Sequence, residues 1–175
     1  MIGAIVLAAG AATRFGAPKQ QLLLGEVLAR LSTAPVAEIV VVAGAHVLPC
    51  VTETQGNVRL VHCAEWERGP GASLRSGLAA LAPEIEAAVV VLADGPDLAP
   101  EAVARVIEAW HASGSELVAA SYSGVRGHPL VLARAAWADV PDEGLREREP
   151  QLVPCDDLGA PGDVDVLADL PERLR

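Results

Sequence analysis

Residues 2–19 read IGAIVLAAGAATRFGAPK, and this stretch decides the fold. It opens with an unbroken apolar run over 2–8, which is too short to span a membrane and lacks the alternation of a half-exposed strand. Such a run suits a strand buried on both faces of a parallel sheet. The chain then passes through Ala9-Gly10 into small residues and reaches two cations, Arg14 and Lys19. Small side chains let backbone N–H groups approach an anion, and successive amides form a concave nest. Arg14 offers phosphate oxygens a planar fork, and Lys19 offers a point charge. The loop is not a Walker A loop, because Gly-Lys-Ser/Thr is absent, and it is not the Gly-x-Gly-x-x-Gly of dinucleotide folds. Taken alone, it is also compatible with an ordinary strand-to-helix turn.

Working outward, the same strand-then-loop pattern recurs. Apolar runs over 39–43, 58–62, 88–93 and 117–121 have strand length. Residues 21–31, 73–81 and 100–112 carry apolar positions at helical spacing. This alternation predicts one α/β domain over 1–175, Rossmann-like, with a mostly parallel sheet and helices on both faces. Ligands of such sheets sit beyond the carboxyl ends of the strands. The chemistry is therefore expected at 9–19, 44–46, 69–73 and 94–98. The last third departs from the pattern. Gly127-His128-Pro129 leads into an apolar run over 130–132 that reads as a strand leaving the alternation. Residues 142–150 read as a helix plus a loop, 151–155 as an edge strand, and 163–174 as ending in a C-terminal helix.

Composition narrows the partners. Of 175 residues, 51% are hydrophobic and 3% aromatic, so the core is built from Val, Leu, Ile and Ala. The net charge of −10 argues against a general nucleic-acid binder. An anionic substrate would need the few basic residues gathered at one site. Nothing reads as a signal peptide or a membrane segment. Cys50, Cys63 and Cys155 have neither disulfide nor zinc spacing and read as core thiols in a reducing cytoplasm.

Three further constellations lie at expected strand ends. Arg68-Gly69-Pro70-Gly71-Ala72-Ser73-Leu74-Arg75 opens a helix, with Ser73 read as an N-cap or first-turn residue. A helix start offers free amides and a positive dipole end to a phosphate or base. Ala93-Asp94-Gly95-Pro96-Asp97 places an acid directly after a buried strand. Magnesium asks for one or two carboxylates plus substrate phosphates, which Asp94 fits. Asp97 is the weaker candidate, since it would also suit a helix cap. In Gly162-Asp163-Val164-Asp165, alternate acids on an extended segment share a side, and one would complete a metal site. His128 would sit near a substrate or fix a turn. His46 would line the site, whereas His62 and His111 read as structural.

In order along the chain, Leu-Ala-Ala-Gly-x-x-x-Arg-Phe-Gly-x-x-Lys, Gly-x-x-x-Ser-Leu-Arg-x-Gly-Leu, Ala-Asp-x-Pro, Gly-His-Pro and Asp-Val-Asp resemble the molybdenum cofactor nucleotidyltransferases, most nearly the molybdopterin cytidylyltransferase branch. The guanylyltransferase branch reads Leu-Ala-Gly-Gly at the first motif, so Ala8-Ala9-Gly10 favours CTP over GTP. The resemblance implies a GT-A-type fold. It implies transfer of a nucleoside monophosphate to a terminal phosphate, with release of pyrophosphate and dependence on Mg2+. It also implies roles. Leu7, Ala8, Ala9 and Gly10 would meet the nucleotide, Arg14 and Lys19 its triphosphate, and Gly71 and Ser73 the nucleotide at the helix start. Asp94 and Asp165 would hold the metal, with Arg14, Lys19 and Asp94 forming the catalytic set. His128, Arg75 and Asp97 would lie on the acceptor side.

Three departures fall away from the nucleotide motifs. The segment after Lys19 is short, Val166-Leu167 replaces a Thr-Pro after Asp165, and Pro141 replaces a Gly in Pro141-Asp142-Glu143-Gly144. They point to a reshaped acceptor side. Two other functions stay open. One is the same chemistry on a sugar phosphate or methylerythritol phosphate, which Gly127-His128-Pro129 disfavours. The other is a non-catalytic nucleotide or pterin-cofactor carrier. The expected partners are a nucleoside triphosphate, a phosphorylated small-molecule acceptor and, transiently, a molybdenum enzyme or its chaperone.

Overall fold

The computed structural model describes residues 1–10, 19–46, 48, 54–164 and 169–174, with the backbone alone for 19–22 and 54–55. Among the described residues, eight strands and three α-helices form one α/β sheet structure: β1 (Ile2–Ala8), α1 (Lys19–Leu31), β2 (Glu38–Ala43), β3 (Thr54–Gln55), β4 (Val58–His62), α2 (Pro70–Ala80), β5 (Ala87–Leu92), α3 (Pro100–Ser113), β6 (Leu117–Tyr122), β7 (Val125–Ala133) and β8 (Gln151–Pro154). The sheet order is β3-β4-β2-β1-β5-β7-β6-β8. The central strands β4, β2, β1 and β5 run parallel. β7 inserts antiparallel between β5 and β6, and β8 closes the edge parallel to β6. The strand expected to leave the alternation is therefore β7. The expected edge strand is β8.

The parallel strands are apolar throughout because both faces are covered. On β1, Ala4, Val6 and Ala8 face the side packed by Leu24, Val27 and Leu31 of α1 and by Val103 and Val106 of α3. Ile5 faces the opposite side, with Val40, Val42 and Val90, under Leu74 and Leu78 of α2. Cys63 and Cys155 are buried free thiols, as read from the sequence; Cys50 lies outside the described residues. Among the described residues, no helix is long and apolar enough to cross a membrane.

Three local expectations are corrected. The helix expected over 73–81 starts at Pro70, with Gly69 at the N-cap, since a fixed φ and a missing N–H suit the first helical position; of the two places read for Ser73, N-cap or first turn, it takes the first turn. Residues 142–150 form turns rather than a helix, broken by Gly144 at φ +80° and bounded by Pro141 and Pro150. Among its described residues the C-terminal stretch shows 3₁₀ conformation and no α-helix, at Asp169 and at Glu172–Leu174, with Pro171 just before the latter.

Candidate active site

Main-chain hydrogen bonds lash the carboxyl ends of the central strands together. Ala93 N donates to Leu7 O at 3.1 Å, joining the ends of β5 and β1, and Ala45 N donates to Ala9 O at 3.1 Å, joining β2 to β1. Leu7, Ala8, Ala9, Gly10, His46 and Asp94 thus share one edge of the sheet. Arg14 lies outside the described residues. Lys19 is the first residue of α1, placed in backbone only.

Asp94 follows β5 and is partly exposed. Val164 N donates to its carbonyl at 3.2 Å, which sets the Asp163–Val164 segment beside it. Asp165 itself lies outside the described residues. Among the described residues, no group of three or more His, Cys, Asp or Glu could hold a metal alone. The donor set still fits magnesium, which takes one or two carboxylates and completes its shell from water and phosphate. Asp97 does not cap α3, whose N-cap is Ala99. Its Oδ1 accepts from Arg173 Nη2 at 2.7 Å, and its backbone N–H donates to Pro161 O at 2.9 Å.

The start of α2 lies against the 141–142 turn. Gly71 N donates to Asp142 O at 2.9 Å. A Cβ on Gly71 would lie 1.6 Å from the Pro141 carbonyl oxygen, so only glycine fits that crossing. Ser73, in the first turn, is buried. Arg75 reaches backward, donating to Val140 O at 2.7 Å and to Asp142 Oδ1. Arg68 adds Nη2 to Asp142 Oδ2 at 3.0 Å. Hydrogen bonds from Arg75 and Arg68 hold the Asp142 carboxyl below its ordinary value. Arg75 therefore pins the turn rather than pointing a free fork at a ligand.

His128 closes the other side. Its carbonyl accepts from Tyr122 Oη at 3.0 Å. Burial pushes the Tyr122 phenol up to about 12, so it remains a donor at neutral pH. A Cβ on Gly127 would meet the Tyr122 ring at 2.9 Å, which explains the glycine before His128. Burial, then the positive charge of Arg126, lowers His128 to about 4, with Asp94 pulling the other way. His128 is thus neutral at pH 7, and the opposing pull of Asp94 marks the two as electrostatic neighbours. His62 Nε2 contacts Gly44 O at 3.0 Å, a structural role as read from the sequence.

Between α2, β7 and the 143–146 turn lies a cavity of about 420 Å³. Leu7, Leu74, Val90, Leu92 and Leu130 line it, together with His128, Arg126, Glu143 and Arg146. Arg126 and Arg146 are the lining residues that the sequence reading passed over. The signal available was a cation directly before Gly127-His128-Pro129. The arrangement offers a donor edge at the strand ends, a carboxylate beside it, and an adjoining pocket for a second molecule.

Residues 4–151 match the model of the MobA-like NTP transferase domain. No curated protein sequence matches the chain significantly. The crystal structure of Rv0371c from Mycobacterium tuberculosis H37Rv is similar, with 27% identity, TM-score 0.79, and coverage of 96% of this chain and 94% of that one. A structure described as an Rv0371C complex with manganese shares 25% identity at TM-score 0.70, over 96% of this chain and 95% of that one. The 4-diphosphocytidyl-2C-methyl-D-erythritol synthase of Anaerococcus prevotii DSM 20548 shares the fold, at 17% identity and TM-score 0.67, over 88% of this chain and 86% of that one. With the match covering most of its length, the chain belongs to the MobA-like NTP transferase family and is a nucleotidyltransferase.

Proposed function

We propose that the chain transfers CMP from CTP to the terminal phosphate of molybdopterin and releases pyrophosphate. An acceptor phosphate oxygen forms a bond to the α-phosphorus, and the bond from that phosphorus to the pyrophosphate oxygen breaks. The acceptor phosphate is already a nucleophile, so the protein's work is positioning and charge neutralisation. Leu7, Ala8, Ala9 and Gly10 present backbone to the nucleotide, with Gly71 and Ser73 at the start of α2. Ala9 in place of a second glycine favours cytosine. Arg14 and Lys19 neutralise the triphosphate and the leaving pyrophosphate. Asp94 and Asp165 would hold Mg2+, which, when bound, stabilises charge on the phosphate oxygens. Manganese in the Rv0371C structure supports a divalent ion. His128 and Asp97 lie on the acceptor side, and Arg75 is a positioning residue there, acting through the 140–142 turn. A cytoplasmic location and transient contact with a molybdenum enzyme or its chaperone belong to the same reading.

One observation carries the proposal: the ends of β1 and β5 are hydrogen-bonded together, with Asp94 directly after them and an acceptor-sized cavity reaching Leu7 and Leu92. Thermal denaturation with each of the four nucleoside triphosphates and Mg2+ tests it. A ligand at about 100 times its Kd adds roughly 2.7 kcal/mol, a rise of several degrees for a chain of this size. CTP is expected to give the largest rise; no rise with any of the four would overturn the reading.

A further inference from the structure

The chain is acidic, and five of its ten described arginines are matched to acids, while Arg30, Arg134 and Arg148 donate to main-chain carbonyls. Arg59, Arg68, Arg75, Arg105 and Arg173 each form an ion pair. Arg126 and Arg146, both lining the cavity, have no carboxylate partner among the described residues. Arg126 is half-buried and fixed: its Nη1 donates to Leu145 O at 2.9 Å and to Arg148 O at 2.8 Å. These bonds set the plane of the guanidinium without neutralising it. Burial alone holds its pKa below the ordinary value. A guanidinium withdrawn from water without a counter-charge is unfavourable unless an anion arrives. In a chain of net charge −10, such a local concentration of cations also offsets the long-range repulsion of an anionic ligand.

Leu7, Leu74, Val90, Leu92 and Leu130 give the lining an aliphatic wall, with His128 and Glu143 as its other polar members. A polyol phosphate laid on that wall would leave hydroxyls without hydrogen-bond partners. A flat ring system would bury its faces there instead. The cavity volume of about 420 Å³ falls within the usual range for small-molecule sites.

We propose that Arg126 and Arg146 together bind the phosphate of the acceptor, and that the aliphatic wall selects an acceptor whose phosphate is carried on a flat ring body rather than on a polyol. This rests on the nucleotidyltransferase reading above and names the residues that choose its second substrate. Glu143 lines the same cavity, which the two guanidiniums leave net positive.

The test is calorimetric binding, under anaerobic conditions, of molybdopterin and of methylerythritol phosphate to the whole chain, with CTP and Mg2+ titrated separately. Arg146 is exposed and has no hydrogen-bond or ion-pair partner among the described residues, so Arg146→Gln is the main variant. It is expected to weaken molybdopterin binding about tenfold, the worth of one charge-assisted pair, and to change CTP affinity less than twofold. Arg146→Lys should recover most of the loss. Arg126→Gln should show the same split, with its Tm recorded because Arg126 also ties the 145–148 turn. Weakened CTP binding with molybdopterin unaffected would overturn the inference, since the cations would then serve the triphosphate. So would unchanged binding of both, no molybdopterin binding by the wild type, or tighter binding of methylerythritol phosphate. Failure of the wild type to bind any nucleoside triphosphate while still binding molybdopterin would refute the nucleotidyltransferase reading and leave the assignment of Arg126 and Arg146 standing.

Discussion

Gly71→Ala is the most informative single substitution, because it probes the joint between the start of α2 and the 141–142 turn beside the cavity. The added methyl would sit 1.6 Å from the Pro141 carbonyl oxygen and 2.7 Å from its carbon. Ordinary contact needs about twice the shorter distance, so the 141–142 turn or the start of α2 must move. The obstacle is backbone, which cannot turn aside as a flexible side chain would. Overpacking of this kind costs about 1–3 kcal/mol. Displacement also breaks the Gly71 N to Asp142 O bond of 2.9 Å, worth about 1 kcal/mol. The gain in helix propensity from Gly to Ala offsets at most about 1 kcal/mol. The net loss is about 1–3 kcal/mol, or a fall in Tm of roughly 2–10 °C for a domain of this size. Differential scanning calorimetry of the variant beside Gly25→Ala makes the comparison. Gly25 lies within α1, and its added Cβ meets nothing within 4 Å. That variant should therefore be stabilised, by up to about 1 kcal/mol. If Gly71→Ala behaves like Gly25→Ala, the described crossing of the turn over α2 is wrong.

Asp94→Asn removes a carboxylate but keeps the backbone carbonyl that accepts from Val164 N, so the fold should hold with Tm within a few degrees. Turnover should fall by at least about a hundredfold; near-normal pyrophosphate release would remove Asp94 from the metal site. His128 supplies a pH signature. Its folded pKa of about 4 lies below the unfolded value near 6.5, so between those values the unfolded chain binds more protons and stability falls as pH falls. From pH 7 to pH 5 this one group should remove about 1–2 kcal/mol. Urea midpoints at both pH values should show that loss in the wild type and not in His128→Asn; an equal loss in both would mean that His128 is not held neutral by its surroundings.

What the sequence made legible, and what it hid, divides by range of interaction. The central strands could be read because their burial on both faces leaves them wholly apolar; 58–62 coincides with β4 and 88–93 is displaced by one residue from β5. The start of α2 was placed late because Ser73 is a good cap in isolation, whereas Pro70 begins the helix. Asp94 was legible as an acid directly after a buried strand. The cavity between α2, β7 and the 143–146 turn was not. Its walls come from Leu74 on α2, Leu130 on β7 and the 143–146 turn, and they meet only once β7 pairs antiparallel with β5 and the turn crosses Gly71. The charged run over 142–150 looked helical because local pattern carries no record of Arg126 holding the carbonyls of Leu145 and Arg148. Arg75 looked available for a ligand for the same reason: its partner Asp142 is far away in the chain.

The central claim is a cytidylyl transfer between two bound phosphates, and the release of pyrophosphate from CTP in the presence of molybdopterin and Mg2+ tests it most directly. The account predicts one pyrophosphate per CMP joined to the acceptor, with little release when GTP replaces CTP or when molybdopterin is omitted. Binding of both CTP and molybdopterin with no pyrophosphate formed would contradict it and identify the chain as a carrier.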